Sequence, residues 1–166
     1  MKVLIPTRED WCMPGKIANP NVDIWYMDRS GISIHFDPGV HGPRDNHREI
    51  NPMGSLSTVL QAEMMVILRC SQILLSKNIT RRRIHICFGS RAAIAAFAKT
   101  TTESALLWEN MQVLEKLCGS NKVTLLQVPG HNRIQGNEEA DKLAKEGTNG
   151  VPSDKTVGIP FVVGKE

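Results

Sequence analysis

The chain has 166 residues, of which 41% are hydrophobic, and this length and composition suit one domain with a real core. Its 20 basic and 17 acidic residues leave a net charge of +3, which permits contact with a polyanion without requiring it. The first residues, MKVLIPTRED, lack the apolar run of a secretory signal, and no stretch reaches the ~18 apolar residues of a membrane span, so we expect an intracellular protein without membrane contact.

The first part of the chain has the patterns of a tail followed by three strands. Residues 1–20 contain three prolines and no helical or strand periodicity, so they are predicted to form a tail or linker. The segment VDIWYMD, residues 22–28, is rich in β-forming residues and predicts a first strand, and weaker strand patterns follow at 33–41 and 47–53. Pro38 fits poorly in the second of these, because it cannot donate a ladder hydrogen bond.

The second part alternates helices with strands. The predicted elements are a long apolar helix at 57–78, a strand at 83–88, helices at 90–99 and 103–119, a strand at 122–128, and a last helix capped by Asn137 and ended by Gly147. This order favours an α/β domain with a mixed sheet, antiparallel in its first three strands and parallel in the remainder. We expect the domain to span 21–148 and residues 149–166 to form a C-terminal tail.

The four cysteines give no sign of a metal site or a disulfide framework. No two of them form a Cys-x-x-Cys pair, and they are widely spaced, at Cys12, Cys70, Cys87 and Cys118. Neither a zinc site nor a set of disulfides is therefore predicted, and reduced thiols are the expected state.

Three carboxylates stand at unusual places on three separate predicted elements. Asp28 ends the first strand, Glu63 is the only carboxylate within residues 57–78, and Asp141 lies one turn into the last helix. Each carboxylate also has an ordinary explanation. Asp28 could cap a turn, Glu63 could lie on a narrow solvent-exposed stripe of its helix, and Asp141 could lie on a solvated helix face. If they gathered around one point they would repel each other unless hard cations lay between them, and Mg²⁺ prefers such oxygen ligands. With His131 in the loop before the last helix, this is the composition of a two-metal site for phosphodiester hydrolysis.

The segment VPGHNRIQGNEEADKLAKEG, residues 128–147, resembles the C-terminal signature of ribonuclease H domains, in particular those carried by non-LTR retrotransposons of insects. Further segments resemble that family in the same order: GKIANPNVDIWYMD, GPRDNHREI, QAE, ICFGSRAAI and VGIPFVVGKE. The resemblance implies a ribonuclease H-like fold, with a five-stranded mixed sheet flanked by helices. It also implies cleavage of the RNA strand of RNA/DNA hybrids with two Mg²⁺ ions, or with Mn²⁺ in their place.

The resemblance also implies a role for each candidate residue. Asp28 would bridge both metal ions, Glu63 would bind one and Asp141 the other, while His131 would assist proton transfer or product release near the scissile phosphate. Basic residues are candidates for contact with backbone phosphates, although a solvated basic turn is an equally good interpretation; they are Lys77, Arg81, Arg82, Arg83, Lys142 and Lys145.

The chain departs from the family where a further aspartate is expected. Gly89, in CFGS, stands at that position and offers no side-chain ligand. At an effective dielectric of ~20, a unit charge pair at 4 Å contributes roughly 4 kcal/mol, and losing that amount corresponds to about three decades in rate. Met27 and Arg29 flank Asp28 where the family has threonine and glycine, and Gln127 replaces a tryptophan. These departures predict an impaired site, with Mg²⁺ binding weakened or lost.

Three hypotheses about function remain open at this point. The chain is a slow nuclease that retains hybrid cleavage, a catalytically dead module that binds nucleic acid, or a protein-interaction module or transposon fossil without a ligand. Enzymatic activity is therefore uncertain, and the chain is expected to act as a monomer or as part of a larger polyprotein.

Overall fold

The computed structural model describes residues 1–32, 35–41, 48–50, 59–99, 104–129 and 134–148. For the residues among them that fall in 28–50, and for Val59, 143–144 and 146–148, only the backbone is described. Within the described residues six strands and five helices follow in the order β1 (Lys2–Leu4), α1 (Arg8–Cys12), β2 (Val22–Ile32), β3 (His35–His41), β4 (Arg48–Ile50), α2 (Val59–Ser76), β5 (Arg83–Phe88), α3 (Arg91–Phe97), α4 (Ala105–Ser120), β6 (Lys122–Gln127) and α5 (Gln135–Thr148).

The described strands form one sheet in the order β1-β6-β5-β2-β3-β4. The pairs β1–β6, β6–β5 and β5–β2 are parallel, so four strands run in one direction, while β2–β3 and β3–β4 are antiparallel. The predicted count of five strands is wrong, because residues 2–4 add β1 beside β6 at the sheet edge. Pro38 does lie in β3, where it stands opposite Arg29 of β2.

The main core lies between one face of the sheet and helices α2, α3 and α4. Trp25 and Met27 of β2 and Ile84 and Ile86 of β5 are buried in the same cluster as the apolar sides of these three helices. This burial explains why α2 is apolar on nearly all of its faces. β5, in the middle of the sheet, is covered on both faces over its last three residues, which are all buried.

The N-terminal residues cover part of the second face. Trp11 and Ile17 pack with Cys87, Leu126 and Val128 in a smaller apolar cluster, and α1 begins in a capping box made by Thr7 and Asp10. The expectation of an N-terminal tail without regular structure is therefore wrong for β1 and α1. The predicted domain boundary at residue 21 stays a prediction, and the predicted C-terminal tail, 149–166, lies outside the described residues.

Two serines cap helices, and the last helix starts earlier than predicted. The Ser90 and Ser104 hydroxyls accept hydrogen bonds from the backbone N–H groups of Ala93 and Leu107, at 3.1 and 3.3 Å. The prediction that Asn137 caps α5 is wrong, because the helix begins at Gln135 and the backbone N–H of Asn137 donates to Ile134. The helix also runs one residue past Gly147.

A polar clamp joins the loops that precede β5 and β6 to the start of β2. The guanidinium of Arg82 donates two hydrogen bonds to Asp23, at 3.0 and 2.8 Å, and the Asp23 side chain is almost fully buried. The Asn121 side chain accepts a hydrogen bond from the Arg82 backbone and donates to the carbonyls of Ile79 and Leu117. The burial of Asp23 and its two charge-assisted hydrogen bonds hold these two loops and the start of β2 in fixed positions.

Two sequence expectations concern the chain as a whole. None of the helices in the described part of the chain is long and apolar enough to cross a membrane. All four cysteines are free thiols, as predicted, with Cys70 and Cys87 buried, and burial raises the pKa of the Cys87 thiol.

Candidate active site

Asp28 and Gly89 occupy neighbouring positions on adjacent strands. The last described pair of the β2–β5 ladder is Met27 with Phe88, so Asp28 and Gly89 follow together, on strands that lie about 4.8 Å apart. β2 then continues beside β3, with Asp28 opposite Gly39. This point lies at the carboxyl ends of the parallel strands, where ligands of open α/β sheets bind. The side chain of Asp28 lies outside the described residues.

Gly89 is exposed and has open space around it. A Cβ atom built at this position meets no atom within 4 Å, and the residue does not have the left-handed backbone conformation that favours glycine. The backbone therefore does not require glycine here, and a side chain at position 89 would stand beside Asp28. The absence of the expected carboxylate is a change in chemistry that leaves the fold intact.

Glu63 lies near the beginning of α2 and is half-buried. The C-terminal end of α2 leads into the loop before Arg83, so this helix runs back from the Gly89 end of β5 to its beginning. From Glu63 to Ser76 the helix rises about 20 Å, which matches the length of β5 at about 3.3 Å per residue. Glu63 is thus at the same end of the sheet as Asp28 and Gly89, and its partial burial is compatible with either a solvent stripe or a polar pocket.

Asp141 is held on α5, which packs across the second face of the sheet. Gly136 in the first turn of α5 lies against the Tyr26 ring of β2, and Ala140 is fully buried. The Asp141 carboxylate is 33% exposed and forms an ion pair with Lys145 at 2.5 Å. Asp141 and Lys145 are i,i+4 neighbours, and such a pair is common on a partly solvated helix face. Lys145 would have to release the carboxylate before a cation could bind it.

His131 lies in residues 130–133, outside the described part of the chain. The segment before it is fixed, because the backbone N–H of Val128 donates to the carbonyl of Phe88 at 3.0 Å. On the other side, the carbonyl of Ile134 accepts the first hydrogen bonds of α5. The described residues on either side of His131 therefore lie beside Phe88 and at the start of the helix that holds Asp141.

The donor chemistry suits a hard divalent cation, although the described residues contain no group of three or more metal-ligating side chains. The side chain of Asp28 lies outside those residues, and Gly89 offers no ligand. Glu63 and Asp141 supply carboxylate oxygens from α2 and α5, which are the ligands that Mg²⁺ prefers. The residues fit such an ion in type, with one carboxylate fewer than the resemblance implies.

Most of the predicted phosphate-contacting residues lie far from this site. Arg83 begins β5 and Gly89 follows its end, which separates them by about 20 Å at 3.3 Å per residue. Arg81 and Arg82 lie in the loop before β5, and Arg82 is bound to Asp23. Phosphate contact by these arginines stays a prediction, and such a contact would lie about 20 Å from Gly89.

Sequence reasoning missed the contact between Tyr26 and Gly136. A Cβ atom at position 136 would stand 2.1 Å from two carbons of the Tyr26 ring, so only glycine permits this approach. Burial, with a smaller contribution from Cys87, raises the pKa of Tyr26 to about 12. The signal in the sequence was Gly136 ahead of the acidic residues of α5, but a glycine at that place reads equally well as part of a loop.

Comparison with known proteins supports the fold. The family model described as RNase H matches residues 85–149, which include Gly89, His131 and Asp141 and leave out Asp28 and Glu63. RNase H1 from the halophilic archaeon Halobacterium salinarum NRC-1 superposes with a TM-score of 0.60 at 19% identity, over 77% of this chain and 98% of the archaeal chain. A search of curated proteins gave no match. The chain therefore has a ribonuclease H-like α/β fold. Its residues 85–149 carry the sequence pattern of RNase H.

Proposed function

We propose that this chain is a ribonuclease H domain of retroelement origin whose ancestral reaction is hydrolysis of the RNA strand of RNA/DNA hybrids, and that Gly89 impairs that reaction. The observation that carries the proposal is the register of β2 with β5, which ends at Met27 and Phe88, so that Asp28 and Gly89 are the next residues on the two segments. RNase H proteins bind RNA/DNA hybrids and use divalent metal ions, and the match to residues 85–149 supports the same substrate here. The chain acts inside the cell, as a monomer or within a larger polyprotein.

In this proposal each candidate residue has one task. Asp28 would hold both Mg²⁺ ions, and Glu63 and Asp141 would each hold one of them. When bound, the ions would supply an activated water and charge stabilisation for the reacting oxygens. Lys145 must leave Asp141 for this to happen, which frees an exposed ammonium group for a substrate phosphate. His131, in the loop that begins beside Phe88, moves a proton near the leaving group or assists product release.

The second candidate function is a module that binds nucleic acid without cutting it. Gly89 favours it, because removing one carboxylate from a two-metal site costs roughly 4 kcal/mol, or about three decades in rate. Met27 beside Asp28 adds nothing to metal binding, since its side chain is buried in the core. The two functions share one fold and one substrate surface, so a cleavage assay separates them.

The test is cleavage of a labelled RNA/DNA hybrid, first with Mg²⁺ and then with Mn²⁺, by the native chain and by Gly89→Asp. We expect the native chain to cut slowly or not at all, and the variant to gain at least a hundredfold, because the open space at Gly89 admits the side chain. Gly89→Asn is the matched control, since it fills the same space without the charge and should restore nothing.

Two outcomes would contradict the proposal. If Gly89→Asp also fails to cut with either ion, the remaining carboxylates do not form the site. If the native chain already cuts and the variant does not improve it, another group supplies the third carboxylate. Adding Asp28→Asn to Gly89→Asp should abolish any restored cleavage, which assigns that cleavage to this site and excludes a contaminating nuclease.

A further inference from the structure

The end of the sheet opposite the candidate active site carries a group of exposed basic residues. Arg83 and Lys122 begin β5 and β6 and are direct partners in the parallel ladder, so their Cα atoms lie about 4.8 Å apart. Arg81 stands two residues before Arg83, and all three side chains are exposed. We call Arg81, Arg83 and Lys122 the basic edge.

The backbone at the basic edge is held by hydrogen bonds from two directions. The N–H of Arg81 donates to the carbonyl of Ser120 at 2.7 Å, and the N–H of Lys122 donates to the carbonyl of Arg82 at 2.8 Å. Arg81 has a φ of 57°, an uncommon value for a residue other than glycine. Because the Arg82–Asp23 clamp lies between Arg81 and Arg83, the three basic side chains project from a rigid frame.

The charge at this end is strongly one-sided. The three converging segments, 19–23, 77–83 and 119–122, contain five basic residues and one carboxylate, and that carboxylate, Asp23, is already paired with Arg82. The local excess of positive charge is therefore larger than the +3 of the whole chain. Exposed basic side chains on a rigid frame, with no uncompensated acid in those segments, match a polyanion whose charges repeat at short intervals.

The basic edge is too far from the candidate active site to serve it. About 20 Å of β5 separate Arg83 from Gly89, so a phosphate held at one end cannot belong to the few nucleotides that surround the other. A ligand of the basic edge is therefore either a distant part of a long duplex or a second nucleic acid strand. Both present the same chemistry, a phosphate backbone.

We propose that the basic edge binds the phosphate backbone of a nucleic acid, as a contact surface separate from the candidate active site. The arginine side chains favour phosphate, because a guanidinium can donate two parallel hydrogen bonds to its oxygens. The contact depends on charge and has no sequence preference, because it involves only the phosphate backbone of the nucleic acid. It does not depend on hydrolysis and stands whether or not the site at Gly89 cleaves.

The experiment measures binding of a labelled 24-base-pair RNA/DNA hybrid by fluorescence anisotropy at several salt concentrations, with EDTA present. Removing divalent ions removes the metal-dependent contact at the other end, and the variants then show how much of the remaining binding belongs to the basic edge. We expect Arg83→Glu with Lys122→Glu to weaken binding at least tenfold at low salt. The slope of log K against log salt should fall in magnitude by about 0.9 for each phosphate that the variant no longer neutralises. Repeating the titration with an 8-base-pair hybrid, with Mg²⁺ in place of EDTA so that the candidate active site can also engage, separates the two sources. Weaker binding of the short duplex indicates a distant part of one long substrate, and equal binding indicates a second strand.

Matched variants keep the result interpretable. Arg8→Glu with Lys99→Glu makes the same change in charge at exposed positions elsewhere and should leave affinity nearly unchanged. If the charge-reversal variant does not fold, Arg83→Gln with Lys122→Gln removes the charges without creating repulsion, and should still weaken binding. Native-like circular dichroism and a normal melting temperature are required of each variant.

Three results would overturn this inference. They are absence of hybrid binding by the native chain under these conditions, an unchanged affinity and salt slope in both edge variants, and tighter binding of polyglutamate than of a duplex of equal charge. The last would assign the edge to an acidic protein. None of them bears on cleavage by Gly89→Asp in Mg²⁺, so this inference and the proposed function can fail separately.

Discussion

At the scale of single residues, the Tyr26 ring and the backbone of Gly136 fix how α5 lies on the sheet. A methyl group at position 136 would overlap the ring, so we expect Gly136→Ala to lower the free energy of unfolding by about 1–3 kcal/mol, as overpacking does. Urea denaturation measures this change.

Gly119 provides the matched control for that substitution. It also lies in a helix, α4, but a Cβ atom there meets nothing within 4 Å. Gly119→Ala should therefore raise stability by about 0.5–1 kcal/mol, because alanine loses less backbone freedom on folding. If both substitutions had the same sign, the close approach of α5 to Tyr26 would be wrong.

Tyr26 also allows a direct measurement, since it is the only tyrosine in the chain. Burial raises its pKa to about 12, so ultraviolet absorbance of the phenolate should appear near pH 12 in the folded protein and near pH 10 in urea. Between these values the unfolded chain has lost a proton that the folded chain keeps, and stability falls as pH rises through that window. Titration near pH 10 without denaturant would mean that the ring is not covered by α5.

At the scale of elements, the N-terminal segment rests on the sheet through His85. Burial lowers the pKa of this imidazole, a hydrogen bond to the backbone of Ile17 opposes the shift, and Arg83 adds to it. Nδ1 is buried without a hydrogen-bond partner among the described residues. The protonated ring would therefore bury an extra N–H, which disfavours it while Ile17 is docked.

This contact predicts a loss of stability in acid. Below pH 6.5 the unfolded chain takes up a proton that His85 in the folded chain resists, so stability is lost as pH falls from 6.5 towards the lowered pKa. Thermal unfolding of the native chain and of His85→Gln at pH 7.5 and 5.5 measures this effect. The variant should lose less stability over that interval, and an equal loss in both proteins would contradict the contact.

Most elements were predictable because their cause is local. The apolar pattern of 57–78 predicts a helix, and the alternation of RIHICF predicts a strand. The serines that precede α3 and α4 mark where those helices begin. β1 was not predictable, since three residues are too short to show a period and it becomes a strand only by pairing with β6. The start of α5 was misjudged for a similar reason, because the ring that accommodates Gly136 lies more than a hundred residues earlier.

At the scale of the whole molecule, the sheet has two chemically different ends. Asp28, Glu63 and Gly89 belong to one end, and the basic edge belongs to the other. The kinds of side chain needed for metal-dependent hydrolysis were visible in the sequence, together with the missing carboxylate. The end of the sheet that each residue occupies was not, because it depends on strand direction and on the return path of α2.

The open space at Gly89 also has an evolutionary meaning. Codons for glycine and aspartate can differ in a single base, and the backbone here accepts either residue without rearrangement. Under the proposed function, a single point mutation would then separate a chain that lacks this carboxylate from one that carries it, with no intermediate that fails to fold. Catalysis would be lost and regained at this position far more easily than the domain itself.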